Sequence, residues 1–103
     1  MQAETRFKQR VIEFLKSLPD VWFVKIQQVV TRGTPDILAC INGYFVALEL
    51  KRSSDANITA LQGHNLSEIT KAGGISLVSC PESWFKDRET LKMLLTHSLE
   101  EAQ

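Results

Sequence analysis

Asn42-Gly43 stands between two apolar runs, residues 35–41 and 44–51. Of all features in this chain, it most limits what the middle can become. The dipeptide accepts positive φ at both central positions of a two-residue turn, so the runs on either side pair as an antiparallel hairpin. In that register Ile41 faces Tyr44, and counting outward pair by pair brings Asp36 opposite Glu49. The two fall in a non-hydrogen-bonded pair, where Cβ atoms lie roughly 4.5–5.5 Å apart. Facing anions on a largely buried hairpin repel unless a cation joins them. Lys51 returns to the same face two residues after Glu49, because strands have period two. Two carboxylates with a lysine beside them point to a divalent-metal site and to phosphodiester chemistry. Read separately, the residues have plainer alternatives: Asp36 as an acid in a Gly-Thr-Pro-Asp turn, and Glu49 with Lys51 as a solvated strand end.

Apolar residues crowd both faces of the two hairpin strands, which predicts a central position covered by helices on each side. Residues 3–17 place Phe7, Val11, Phe14, Leu15 and Leu18 on one helical stripe. Pro19-Asp20 ends that helix. Residues 21–27 read as a strand, 29–34 as a loop made irregular by Gly33, and 52–58 as a polar loop. Thr59 can N-cap a helix running to about residue 72, stopped by Gly73-Gly74. Residues 75–79 form a short buried strand, and Pro81-Glu82 opens an amphipathic segment to about residue 99. The order α-β-β-β-α-β-α predicts an α/β fold with a mixed sheet of about four strands flanked by helices. No linker or repeat divides residues 1–103, so one domain is expected.

The charges balance, with twelve basic and twelve acidic residues, which argues against a strong nonspecific polycation. The balance is uneven along the chain. Residues 1–54 carry eight basic and five acidic side chains, and residues 55–103 carry four and seven. Three of the first half's acids are candidate metal ligands, so bound metal would make that half more cationic still. The polar N-terminus has no apolar core of a signal peptide, and the apolar runs are too short to span a bilayer. Cys40 and Cys80 both fall in strands and read as reduced core cysteines.

Other candidates follow from helical geometry. Glu4 shares the core-facing side of the first helix with Val11 and Leu15. It either joins the metal site or serves as an acid near a helix N-terminus. Gln62 aligns with Leu66 and Ile69 and faces inward, as a site residue, a satisfied core amide or a helix-end residue. His64 lies on another face and reads as a surface histidine. Lys25, Arg32 and Arg52, near the hairpin's open end, are candidate phosphate contacts, or solvated loop and strand charges. Lys86, Arg88 and Lys92 alternate with acids, so less is expected of them. Trp84, Phe85, Leu91, Leu94 and Leu95 either pack on the sheet or contribute to a dimer contact.

Glu4, Gly33-Thr34-Pro35-Asp36, Glu49-Leu50-Lys51 and Gln62, in this order and spacing, resemble the PD-(D/E)xK nuclease superfamily. More narrowly they are similar to the VRR-NUC domain in its small stand-alone form, found in phages and prophages. The resemblance covers roughly residues 3–80 and leaves out the tail after about Pro81. It implies a restriction-endonuclease-like αβββαβ core. It implies Mg²⁺ or Mn²⁺ held by Asp36, Glu49 and the carbonyl oxygen of Leu50, with Glu4 contributing directly or through water. Lys51 and Gln62 would complete the catalytic set. It further implies a cytoplasmic protein inside a bacterial host, a homodimer, and branched DNA, above all four-way junctions, as the substrate. Flap, nicked or linear DNA are alternatives, as is a noncatalytic DNA-binding module on the same fold.

Overall fold

The computed structural model of the protein describes residues 3–27 and 31–97, and of residues 3 and 4 it describes the backbone alone. The chain runs α1 (Ala3–Ser17), β1 (Val21–Lys25), β2 (Ile37–Ile41), β3 (Tyr44–Leu50), α2 (Ala60–Lys71), β4 (Ile75–Ser79) and α3 (Trp84–Met93), closing with a 3₁₀ turn at Leu94–Thr96. The strands form one four-stranded sheet in chain order. β1, β2 and β3 are antiparallel, and β4 lies parallel to β3, which requires the crossover that α2 supplies. The expected α/β architecture with a mixed sheet is therefore observed.

The hairpin register is the expected one. Ile41 pairs with Tyr44 and Ile37 with Leu48. Asn42 and Gly43 both take positive φ, 50° and 90°, which matches the right-handed strand twist. The Asn42 amide also donates to the carbonyl of Leu94 at 2.9 Å, tying the turn to the end of the chain's last helix. The first strand stops at Lys25 rather than residue 27, although Ile26 N–H still donates to the Asp36 carbonyl at 2.8 Å. Residues 29 and 30 of the expected 29–34 loop lie outside the described residues, as does the end of the amphipathic tail beyond residue 97.

One sheet face carries the core. Phe7, Val11 and Leu15 of α1 and Trp84 and Leu91 of α3 pack on Ile37, Ala39, Ile41, Val46, Leu48 and Leu50. Side chains of this size contribute roughly 1.5–3 kcal/mol each when fully buried. Trp84 meets the rings of Phe7 and Phe14 edge to face at 5.9 and 5.3 Å. Trp84 and Leu91 are thus spent on the core, and Leu94 and Leu95 pack against it. The tail segment packs on the sheet, and of its described large apolar side chains Phe85 and Met93 are the exposed ones.

Two expectations need correction. The hairpin is not covered on both sides along its whole width. α2 lies against β4 and the neighbouring part of β3, and leaves the opposite face of β1 and β2 open, with Trp22 67% exposed. Cys40 lies on that open face and is exposed, while Cys80 is buried. Alternating apolar side chains gave both faces of β2 the same appearance, although only one of them has a helix to pack on.

Candidate metal centre

Pro35 lacks an N–H, so the β2–β3 ladder cannot continue past it in the usual way. The Asp36 side chain takes over: its Oδ2 accepts from Leu50 N–H at 2.8 Å. That bond draws the Asp36 carboxylate onto the end of β3, beside Glu49. Glu49 itself is only 5% exposed. Burial, and then the negative charge of Asp36, push its carboxyl from the usual 4.5 up to about 7. The two carboxylates are therefore neighbours in space, although the strand ladder itself ends one pair earlier, at Ile37 and Leu48.

A third side chain fixes the pair. Thr59 and Gln62 form a capping box at the start of α2: Thr59 Oγ1 accepts from Gln62 N–H, and Gln62 Oε1 accepts from Thr59 N–H at 2.8 Å. The other end of the same amide donates from Nε2 to Glu49 Oε2 at 3.0 Å. Gln62 is thus both helix cap and partner of the buried acid. The Thr-x-x-Gln pattern was readable. That one amide serves both purposes was not.

Glu49 Oε1 is buried and receives no hydrogen bond from any donor; the group beside it is the Asp36 carboxylate, with which it can bond only while one of the two holds a proton. Buried polar atoms are almost always satisfied, so this orphaned oxygen, beside a second carboxylate, suits a bound cation. The donors are hard oxygens from Asp36 and Glu49, with the carbonyl of Leu50 next in the chain, a set that fits Mg²⁺ or Mn²⁺. Among the described residues no cluster of three or more His, Cys, Asp or Glu side chains occurs. The Glu4 side chain, the expected third carboxylate, lies outside the described residues.

Lys8 is a site residue that sequence reasoning missed. Its Nζ lies 3.8 Å from Asp36 Oδ1, and its charge lowers Glu49's affinity for a proton, against the stronger influence of burial and of Asp36. The signal was available, since Lys8 follows Glu4 by one helical turn on the side assigned to the site. Lys51, by contrast, does not pair with the carboxylates. Its Nζ donates to the Ser54 carbonyl at 3.3 Å. It does share the cleft. Glu49, Lys51, Arg52, Asn57, Thr59 and Gln62 line a polar hollow of about 590 Å³. The loop forming its wall is tied down by Ser53 to Asp55 at 2.5 Å and by Ser54 N–H to Glu82 at 2.8 Å. Those contacts hold Asp55 and Glu82 below the usual carboxylate range.

The remaining basic candidates are scattered. Arg52 is exposed at the cleft. Arg32 is exposed in the turn before Asp36, and its carbonyl accepts from Asn65 of α2 at 3.1 Å. Lys25 stands in register with the buried Ile37 and hence on the other side of the sheet from the carboxylates. His64 is exposed and pairs with Glu68 at 3.6 Å, as its surface reading expected.

Gly33 explains how the turn reaches the site. Its φ is +78°, and a Cβ there would sit 2.8 Å from both Leu61 Cγ and Asn65 Nδ2. Glycine lets the turn lie directly on α2, which aims Pro35-Asp36 at the end of β3. No protein-family model, curated protein or solved structure matches this chain.

Proposed function

We propose that this protein is a metal-dependent endodeoxyribonuclease that hydrolyses phosphodiester bonds in branched DNA, with the four-way junction as its preferred substrate, and that it acts as a homodimer. The observation that carries the reading is the buried Glu49 carboxylate, held by Gln62, facing Asp36 and keeping one oxygen unpartnered. A purely structural hairpin gains nothing from two facing acids at its most buried end. The junction preference and the dimer come from the resemblance to VRR-NUC proteins.

When bound, Mg²⁺ or Mn²⁺ supplies a water of lowered pKa and neutralises charge on the phosphate. The chain's own residues do the rest. Leu50 N–H and Lys8 orient Asp36, and Gln62 fixes the rotamer of Glu49. Lys51 and Arg52 offer positive charge in the same cleft. Lys51 must leave the Ser54 carbonyl to reach a phosphate, where it stabilises developing negative charge. Recognition rests on phosphates and shape, since no base-reading motif is present.

The test is purified protein with Mg²⁺ or Mn²⁺ on matched junction, flap, single-stranded and duplex DNAs. The junction should be cut, and Asp36→Asn and Glu49→Gln should each abolish cutting while circular dichroism stays native. Lys51→Ala should slow it by about 10²–10³. Near-normal cleavage by both acid variants rules out this site. Wild-type protein that binds junctions with metal but cuts no DNA is the noncatalytic module.

A further inference from the structure

The open sheet face is ordered in rows. Trp22, Cys40 and Phe45 stand side by side across β1, β2 and β3, and Val24, Leu38 and Ala47 form the next row. Just past the end of that ladder the Asp36 carboxylate lies beside Glu49. α2 buries Ala47 but leaves Phe45 47% exposed. Trp22, Val24, Leu38, Cys40 and Phe45 surround one shallow depression of about 180 Å³ with no charged side chain in its lining.

At roughly 150–250 Å² per aromatic side chain, the exposed fractions of Trp22 and Phe45 leave on the order of 170–290 Å² of ring surface in water. A stable dimer of standard size hides roughly 800 Å² per partner, around a small aromatic centre. This patch has the size and composition of such a centre. It is too small and shallow for a small-molecule pocket of roughly 300–1,000 Å³. Its lack of charge matters for the choice of partner. In a two-fold contact the same patch meets itself, and groups on the axis meet their own copies, so a charge there is repelled whereas an apolar patch is complementary to itself. Among the described residues β1 is also an edge strand of the sheet, with no neighbouring strand to obstruct approach on that side.

We infer that a second copy of this chain docks on the Trp22–Cys40–Phe45 row, packing Trp22 and Phe45 across a two-fold axis. The inference rests on the homodimer part of the proposed function and gives it a surface, in place of the C-terminal segment. Asp36 lies four residues along β2 from Cys40, roughly 13 Å at strand rise. Each metal centre would therefore open beside the contact, on the side of the molecule that faces its partner.

Sedimentation equilibrium of metal-free protein without DNA, from micromolar to hundreds of micromolar, tests this directly. Wild type should sediment at twice the 11.6 kDa chain mass. The double variant Trp22→Lys/Phe45→Lys should associate about thirtyfold more weakly or worse, the loss of a hot-spot pair. Both positions are exposed in the single chain, so its melting curve should stay cooperative. A short bis-maleimide should link Cys40 of two wild-type copies, with buried Cys80 unreactive and Cys40→Ser as control. This reading is independent of how the variants fold. A wild type that is monomeric throughout and gives no crosslink overturns the inference, as does a dimer that survives the double variant. Cleavage measured in parallel separates the two ideas: monomers that cut DNA sink the docking surface and the homodimer with it but leave the nuclease reading, and dimers that cut nothing sink the nuclease reading alone.

Discussion

Replacing Glu49 by glutamine should stabilise the metal-free protein, and only in one range of pH. In the folded chain the Glu49 carboxyl holds its proton up to about 7, against 4.5 for an ordinary glutamate. Between those values the native state binds more protons than the unfolded state, so stability falls as pH rises. The favourable condition is fully present below 4.5 and lost as pH passes through about 7. At 1.36 kcal/mol per pH unit, the whole loss is roughly 3 kcal/mol. Glutamine keeps an oxygen for Gln62 Nε2 and carries no charge, so its variant should not suffer this loss. Near pH 4 the two proteins should unfold alike; near pH 8 the variant should be more stable by roughly 3 kcal/mol, or about 10–20 °C in Tm. Urea unfolding in a chelating buffer across this range provides the numbers, and comparing the two proteins cancels all other titrating groups. Mn²⁺ should then restore wild-type stability at the alkaline end and do little for the variant, since only the former has both carboxylates. Superimposable stability curves across the range would refute the claim that Glu49 is buried against a second anion.

Three further outcomes are expected. Lys8→Met should tighten Mn²⁺ binding in the absence of DNA by up to about fivefold, the value of a partly exposed charge pair of about 1 kcal/mol, read by calorimetry. Thr59→Ala should cost about 1 kcal/mol in urea unfolding through loss of the cap, and should also lower metal affinity, because Gln62 then holds Glu49 from a looser helix end. Arg52→Gln should weaken DNA binding about equally across sequences and reduce the salt slope by roughly one, while Lys25→Gln, on the other side of the sheet, should leave the slope nearly unchanged.

Much of the centre was legible because it depends on local chemistry. Asn42-Gly43 determines a turn, a turn determines a register, and the register places Asp36 opposite Glu49. What escaped depends on distance. Lys8 reaches Asp36 only because α1 packs across the sheet, and a helical wheel gives direction without a target. Lys51 has the right strand parity, yet the loop carbonyl of Ser54 captures its ammonium. Cys40 and Trp22 alternate as core residues do, but whether a strand face has a cover depends on how far α2 extends, which no local pattern records. The tail was ambiguous for the opposite reason: Trp84 and Leu91 are apolar enough for a contact between chains, and the sheet claims them first.

α2 holds both halves of the carboxylate pair. Gln62 grips Glu49, and one turn later Asn65 grips the Arg32 carbonyl while Leu61 and Asn65 close over Gly33. The helix behaves as a jig clamped on two workpieces. Any fluctuation that lifts its first two turns releases the aspartate loop and the glutamate together, so the amides around both should exchange with solvent as one cooperative unit. A chain built this way couples its two acids: Glu49 loses its amide and the loop leading to Asp36 loses its support in the same event.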